Sequence, residues 1–145
     1  MKSMYFEDQN SNQIIKKLTI GFSHQLTKHL PAISTKLSYK ILLNPFGRRQ
    51  YKTDLLPPHT ETRLKTKMGE VNLFHFPGGD KHVFLSHGWA DSTLRFKHLI
   101  KELHNSGYSI WSIDHIGHGK SEGNKSHLFG FLDGLRTSIK HIESK

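Results

Sequence analysis

Cysteine is absent from the 145 residues, which excludes disulfides and any thiolate-bound metal. No apolar run approaches the ~20 residues that a membrane-spanning helix needs. The N-terminus opens on Glu7, Asp8, Gln9 and Asn10, not on the basic-then-apolar order of a secretory leader. Apolar residues make up only 34% of the chain, which limits the core to one modest domain. Acidic residues are scarce as well: 12 Asp and Glu stand against 21 Lys and Arg, for a net charge of +9. The imbalance is local, because residues 1–60 hold nine basic and three acidic side chains, whereas residues 61–145 hold twelve and nine. Such an excess favours anionic partners. These features agree with a cytoplasmic location, at or near a membrane surface.

The informative stretch runs from Val83 to Gly123. An apolar run, Val83 to Leu85, ends in Ser86-His87-Gly88. Helical spacing follows from about Ser92 to His104, then a second apolar run from Tyr108 to Ile113 that stops at Asp114. A strand, a helix and a strand in that order make the two strands parallel, since the helix carries the chain back to its starting side. In open parallel sheets the reactive groups collect beyond the C-terminal ends of the strands. Here those ends carry His87-Gly88-Trp89 and the glycine-rich loop Asp114 to Gly123.

Both motifs, at this separation, resemble the N-terminal part of an α/β-hydrolase. The similarity is greatest to the monoacylglycerol lipase, lysophospholipase and serine aminopeptidase branch. Members carry His-Gly after one strand and Asp-His-x-Gly-His-Gly-x-Ser-Glu-Gly after the next, and Asp114 to Gly123 matches the second pattern without departure. The resemblance implies an α/β class and an α/β-hydrolase fold, N-terminal portion only. It implies a hairpin, then parallel strands with a crossover helix, and serine-dependent cleavage of carboxylic esters of a lipid-like kind or of small amides. Such hydrolysis needs no cofactor. It also implies roles at the first motif. The backbone N–H of Trp89 becomes a donor to the negative oxygen of the tetrahedral intermediate, Gly88 allows the close turn, and His87 organises the loop. In this family the Asp114–Gly123 loop is mainly structural.

Three competing patterns fail. Gly119-Lys120-Ser121-Glu122-Gly123 has the form G-x-S-x-G, but that motif works on a tight strand-to-helix turn, and here the strand has ended five residues earlier. Gly119-Lys120-Ser121 also looks like the end of a phosphate-binding loop, which requires a glycine where Asp114 stands. Asp114, His115 and His118 are ligand types for a divalent metal, yet no second cluster supports them, so no metal site is assigned. The other histidines are scattered, and most of them read as surface residues.

Before this stretch, Glu61–Lys67 and Val71–Phe76 alternate as the two strands of a hairpin. Phe131, Leu135, Ile139 and Ile142 mark a helix over about 130–143. The chain divides into a basic amphipathic helical segment with a Pro-containing linker, residues 1–60, and a partial hydrolase domain, residues 61–145. In the first, Ile14, Leu18, Phe22, Leu26, Leu30, Ile33, Leu37 and Ile41 recur at helical steps, with Pro31 dividing two helices at roughly 12–29 and 31–43. These helices either pack on the core or lie on an anionic membrane. Nucleic acid is not expected, for the region lacks interleaved aromatics.

In the resembling family the nucleophile follows the next strand, and the acid and histidine come later. The chain therefore reads as truncated before the nucleophile elbow and inactive by itself, with a non-catalytic remnant or a membrane- or partner-binding module as the alternative. It also implies that the strand Ser109–Ile113 lacks its neighbour, leaving an open edge and marginal stability.

Overall fold

The computed structural model describes residues 9–45 and 52–145. Arg48 and Arg49 of the expected linker lie outside these residues. The chain forms two compact units, Met1–Leu42 and Leu43–Lys145, so the 60/61 boundary expected from the sequence falls inside the second.

The first unit is two helices in series, α1 (Gln9–His29) and α2 (Pro31–Leu42). Pro31 cannot donate a backbone hydrogen bond, and the regular pattern breaks there. Bonding continues on either side, from Leu30 N–H to Leu26 O at 2.8 Å and from Ser34 N–H to Leu30 O at 3.0 Å. The hydroxyls of Thr27 and Ser34, 2.8 Å apart, bridge the break. Along the apolar stripe, Leu18 and Phe22 are 68% and 67% exposed, and Leu30, Ile33 and Leu37 are exposed too.

The second unit begins with a 3₁₀ turn, Thr53–Leu55, and is built on four strands, β1 (Thr60–Thr66), β2 (Gly69–Phe76), β3 (His82–Ser86) and β4 (Ser109–Asp114). Their order is β1-β2-β4-β3. β1 and β2 form the hairpin, β2 pairs antiparallel with β4, and β3 pairs parallel with β4. The crossover between β3 and β4 is a 3₁₀ turn, Thr93–Phe96, that runs into α3 (Lys97–Asn105). The last helix, α4 (Leu128–Glu143), ends the unit.

Side chains alternate across the sheet with a period of two. Val71, Leu73, Trp111 and Ile113 point to one face, where Leu135 and Ile142 of α4 cover them. Phe74, Phe76 and Ile110 point to the other, against Ile100 and Leu103 of α3. Each face is dry only because a helix lies over it, and all six residues of β4 are buried. Glycine lets α4 come close: a Cβ on Gly130 would lie 2.8 Å from the Ile116 side chain.

One expectation is corrected here. Ser109–Ile113 is not at an edge; β4 lies between β2 and β3 and is hydrogen-bonded on both sides. The edge strands are β1 and β3, and in β3 His82 and Ser86 are exposed and the centre is only partly covered. Order along the chain does not fix order across a sheet, because the hairpin strand β2 takes the place beside β4.

Candidate functional site

The parallel pairing of β3 and β4 sets their C-terminal ends side by side, with Ser86 in register with Ile113. The loops that follow, 87–90 and 115–123, therefore abut. Residues far apart in sequence form one buried polar cluster: His87, Asp114, His115, His118 and Ser121 are all 3% exposed or less.

Asp114 is the anchor. Its carboxylate accepts the backbone N–H of Thr93 at Oδ1 and of Lys120 at Oδ2, each at 2.8 Å. Thr93 Oγ1 lies 2.8 Å from Ser112 Oγ, tying the crossover to β4 a second time. A buried charge is tolerable only with such donors. Gly119 lets the loop fold back so tightly: its φ is +46°, and a Cβ there would lie 1.9 Å from Asp114 Oδ2. Ser121 is fully buried, accepts the N–H of Asn72 at 2.7 Å and donates to the backbone oxygen of Asp114. Both bonds hold it inside the loop, away from any strand-to-helix turn.

The first motif is fixed by imidazoles. His87 Nε2 accepts the N–H of His115 at 3.1 Å, so the proton sits on Nδ1, which donates to Gly88 O at 2.7 Å. Its 4.0 Å approach to Asp114 Oδ1 is thus no ion pair, since Nε2 carries no proton to share. The Gly88–Trp89 peptide is trans, so its C=O and N–H point opposite ways. By holding the Gly88 carbonyl, His87 sets the direction of the Trp89 N–H. That N–H makes no hydrogen bond to any described residue. The Trp89 ring is half exposed and stacks at 6.0 Å on Phe131.

The expected turn at Gly88 is made elsewhere. Gly88 has no positive φ, and a Cβ there would meet nothing within 4 Å. The left-handed residue is Ala90, with φ +56°. Its N–H donates to His118 Nε2 at 3.1 Å, while His118 Nδ1 lies 2.9 Å from Ile116 O. Burial lowers the pKa of His118, and His87 adds to this; the Ile116 carbonyl and the carboxylates of Asp114 and Asp91 pull the other way. His115 is fully buried against Phe131, ring on ring at 3.8 Å, with Ser86 Oγ 2.8 Å from its Nε2. Desolvation first, then the charges of His87 and His118, push its pKa down to about 3. Among the described residues no group of three or more His, Asp or Glu could hold a metal ion.

Sequence reasoning treated the histidines of the two loops separately, and it missed that His115 and His118 complete the setting of the first loop. The signal was available: two parallel neighbouring strands bring the residues after each to one place. The remaining histidines are not all surface groups either. His75 stacks at 3.8 Å on Trp111, and His59 sits against Phe74 and Phe76 at 5.6 and 5.2 Å.

Residues 79–144 match the family described as Serine aminopeptidase, S33. Sixty residues are 35% identical to the monoglyceride lipase homolog of Monkeypox virus, covering 41% of this chain and 22% of that protein. The monoglyceride lipase of Homo sapiens is 31% identical over 62 residues, 43% of this chain and 20% of its own length. The chain thus spans about a fifth of the length of these lipases. Among solved structures, the esterase of Pyrococcus furiosus superposes with a TM-score of 0.61 at 22% identity, covering 71% of this chain and 41% of that one. The sheet with its two covering helices, the two loops at its carboxyl edge and these matches together give the second unit a partial α/β-hydrolase fold, similar to the N-terminal portion of monoglyceride lipases.

Proposed function

We propose that the second unit supplies the oxyanion side of a serine hydrolase for lipid-like esters, with the Trp89 N–H as donor. One observation carries this: an amide with no partner among the described residues, held in direction by a buried imidazole, at the end of a parallel strand. On the preceding residue, Gly88, a Cβ would meet nothing within 4 Å, so that side of the loop is open. The donor arrangement is set before any substrate arrives, and such preorganised donors stabilise a developing oxyanion. Ser121 is bonded inside its loop, so this reading takes its nucleophile from another group.

The test is a chimera in which residues 79–144 replace the matching segment of the Homo sapiens monoglyceride lipase. We expect hydrolysis of a short-chain aryl ester, and a drop in kcat of about 10²–10³-fold for Trp89→Pro, which removes the N–H. A folded chimera indifferent to Trp89→Pro overturns the donor role. Turnover by the 145-residue chain that vanishes on Ser121→Ala overturns the need for an external nucleophile.

A second reading concerns the first unit, which we assign to an anionic membrane surface. Its apolar stripe is exposed, and from Gln9 to Thr53 there is no Asp or Glu among the lysines. Among the described residues no helix is long and apolar enough to cross a membrane, so contact would be in the interfacial plane. Co-sedimentation with vesicles decides it. Binding to phosphatidylserine-containing vesicles that weakens on Phe22→Ser and in high salt is expected; equal binding to neutral vesicles removes the electrostatic part.

A further inference from the structure

We infer that His118 is a positioning residue for the Trp89 amide: it captures the N–H of Ala90 and so holds the second of the two peptides that flank Trp89. The functional meaning rests on the donor role proposed above, but the geometry stands apart from it.

Ala90 is the only non-glycine residue with a positive φ among those described. A left-handed alanine brings its Cβ close to the following carbonyl oxygen, and something must hold it there. The structure provides one partner for its N–H, His118 Nε2 at 3.1 Å. The Ile116 carbonyl can only accept, so the contact at 2.9 Å places the single proton of the ring on Nδ1. Nε2 is then a lone-pair acceptor, as the Ala90 bond requires. The ring cannot swing away. It is 2% exposed and walled by the edges of Phe131 at 5.2 Å and Trp89 at 5.5 Å.

His87 and His118 thus divide the work. His87 holds the carbonyl before Trp89, and His118 holds the amide after it. Neither touches the Trp89 N–H, which is left for a ligand. The arrangement depends on charge state. Protonation puts a hydrogen on His118 Nε2, directly facing that of Ala90, and the bond is lost. The titratable groups around this ring are His87, with centroids 5.1 Å apart, and His115, Asp114 and Asp91. The carboxylates favour the proton and the buried imidazoles oppose it.

The test uses the full chain labelled with ¹⁵N. At neutral pH, His118 Nε2 should resonate as an unprotonated acceptor and the Ala90 amide should be protected from exchange. On acidification the amide signals of Ala90 and Trp89 should move with one midpoint, that of the His118 ring. In His118→Leu the Ala90 amide should exchange about tenfold faster, the effect of one lost hydrogen bond. His118→Gln, whose side-chain oxygen can still accept, should restore most of the protection. Ala90 exchange unchanged in a folded His118→Leu, or Ala90 and Trp89 signals that follow another histidine, would overturn the inference. Should the leucine variant fail to fold, the titration of the unaltered chain decides. Failure of the donor role would look different: a chimera indifferent to Trp89→Pro, with the Ala90–His118 bond intact.

Discussion

The two units of this chain invert one another. In the helical unit, large apolar side chains lie exposed while a serine is the buried residue of α2. In the sheet unit, a carboxylate and three imidazoles lie inside, and the apolar residues of the central strands are covered by two helices. Burial by itself therefore says little about polarity. What matters is whether a partner is at hand. Asp114 sits among backbone donors, and His87 and His118 each engage backbone groups at both ring nitrogens. His115 is the exception, for its Nδ1 is buried without a hydrogen-bond partner among the described residues. Along α1 and α2 the large apolar side chains are exposed.

The sharpest way to break the contrast is to remove the anchor of the inner cluster. Asp114→Ala leaves the N–H groups of Thr93 and Lys120 without their acceptor and loosens the crossover and the 115–123 loop from β4. We expect a loss of about 2–5 kcal/mol, the scale for two buried N–H donors left without an acceptor. Urea unfolding measures it, and a loss below about 1 kcal/mol would mean that water replaces the carboxylate without penalty. Next in size is Gly119→Ala. The added carbon meets Asp114 Oδ2 at 1.9 Å in a left-handed backbone, so the loop must shift. About 2–3 kcal/mol is expected from overpacking and strain combined. The double variant with Asp114→Ala should lose less than the sum, because the carboxylate is the atom group that clashes.

These positions also show what a sequence discloses. The strands and helices of the sheet unit were legible because apolar residues recur at steps of two or of three to four, and the loop motifs mark where strands end. The pairing order was not legible. A run such as Ser109 to Ile113 reads the same at an edge or in the centre, and only the return of β2 alongside β4 decides. Within the site, Trp89 and His87 could be picked out from their motif, and the nearness of His118 from the two parallel strands, but not the bond that His118 makes. Its partner is a backbone amide 28 residues away, and no side-chain pattern encodes a backbone donor. The turn at Ala90 was hidden for a related reason. Left-handed backbone is expected at glycine, and here the adjacent Gly88 does not adopt it.

Acid should open the inner cluster before it touches the helices. His115 has a folded pKa of about 3 against an ordinary value of 6.5. Its neutral form is the one that fits the fold, so its contribution is complete above about pH 6.5 and is lost as the pH falls toward 3. His118 is shifted the same way and adds to the slope. Between about pH 7 and about pH 5 the sheet unit should lose about 2 kcal/mol for His115 by itself. Denaturant titrations at the two pH values measure this. His115→Phe, which keeps the stack on Phe131 but cannot take a proton, should flatten the slope by about that amount. An unchanged slope would mean that His115 is not the group being charged.

The smallest expected effect lies in the helices, and there smallness is the point. Phe22 is 67% exposed, so replacing it removes little buried surface. Phe22→Ser should change the unfolding free energy of the sheet unit by no more than about 0.5 kcal/mol, the range for exposed positions. The same substitution is expected to weaken vesicle binding, because the exposed ring is what an apolar phase would take up. If Phe22→Ser instead destabilised the sheet unit by more than about 1 kcal/mol, the stripe would be covered by the chain itself, and the contrast between the two units would fall. If it changed neither stability nor vesicle binding, the membrane would lose its place as the partner while the contrast stood. The two measurements on one variant thus separate a helix that belongs to the fold from a helix that waits for something outside it.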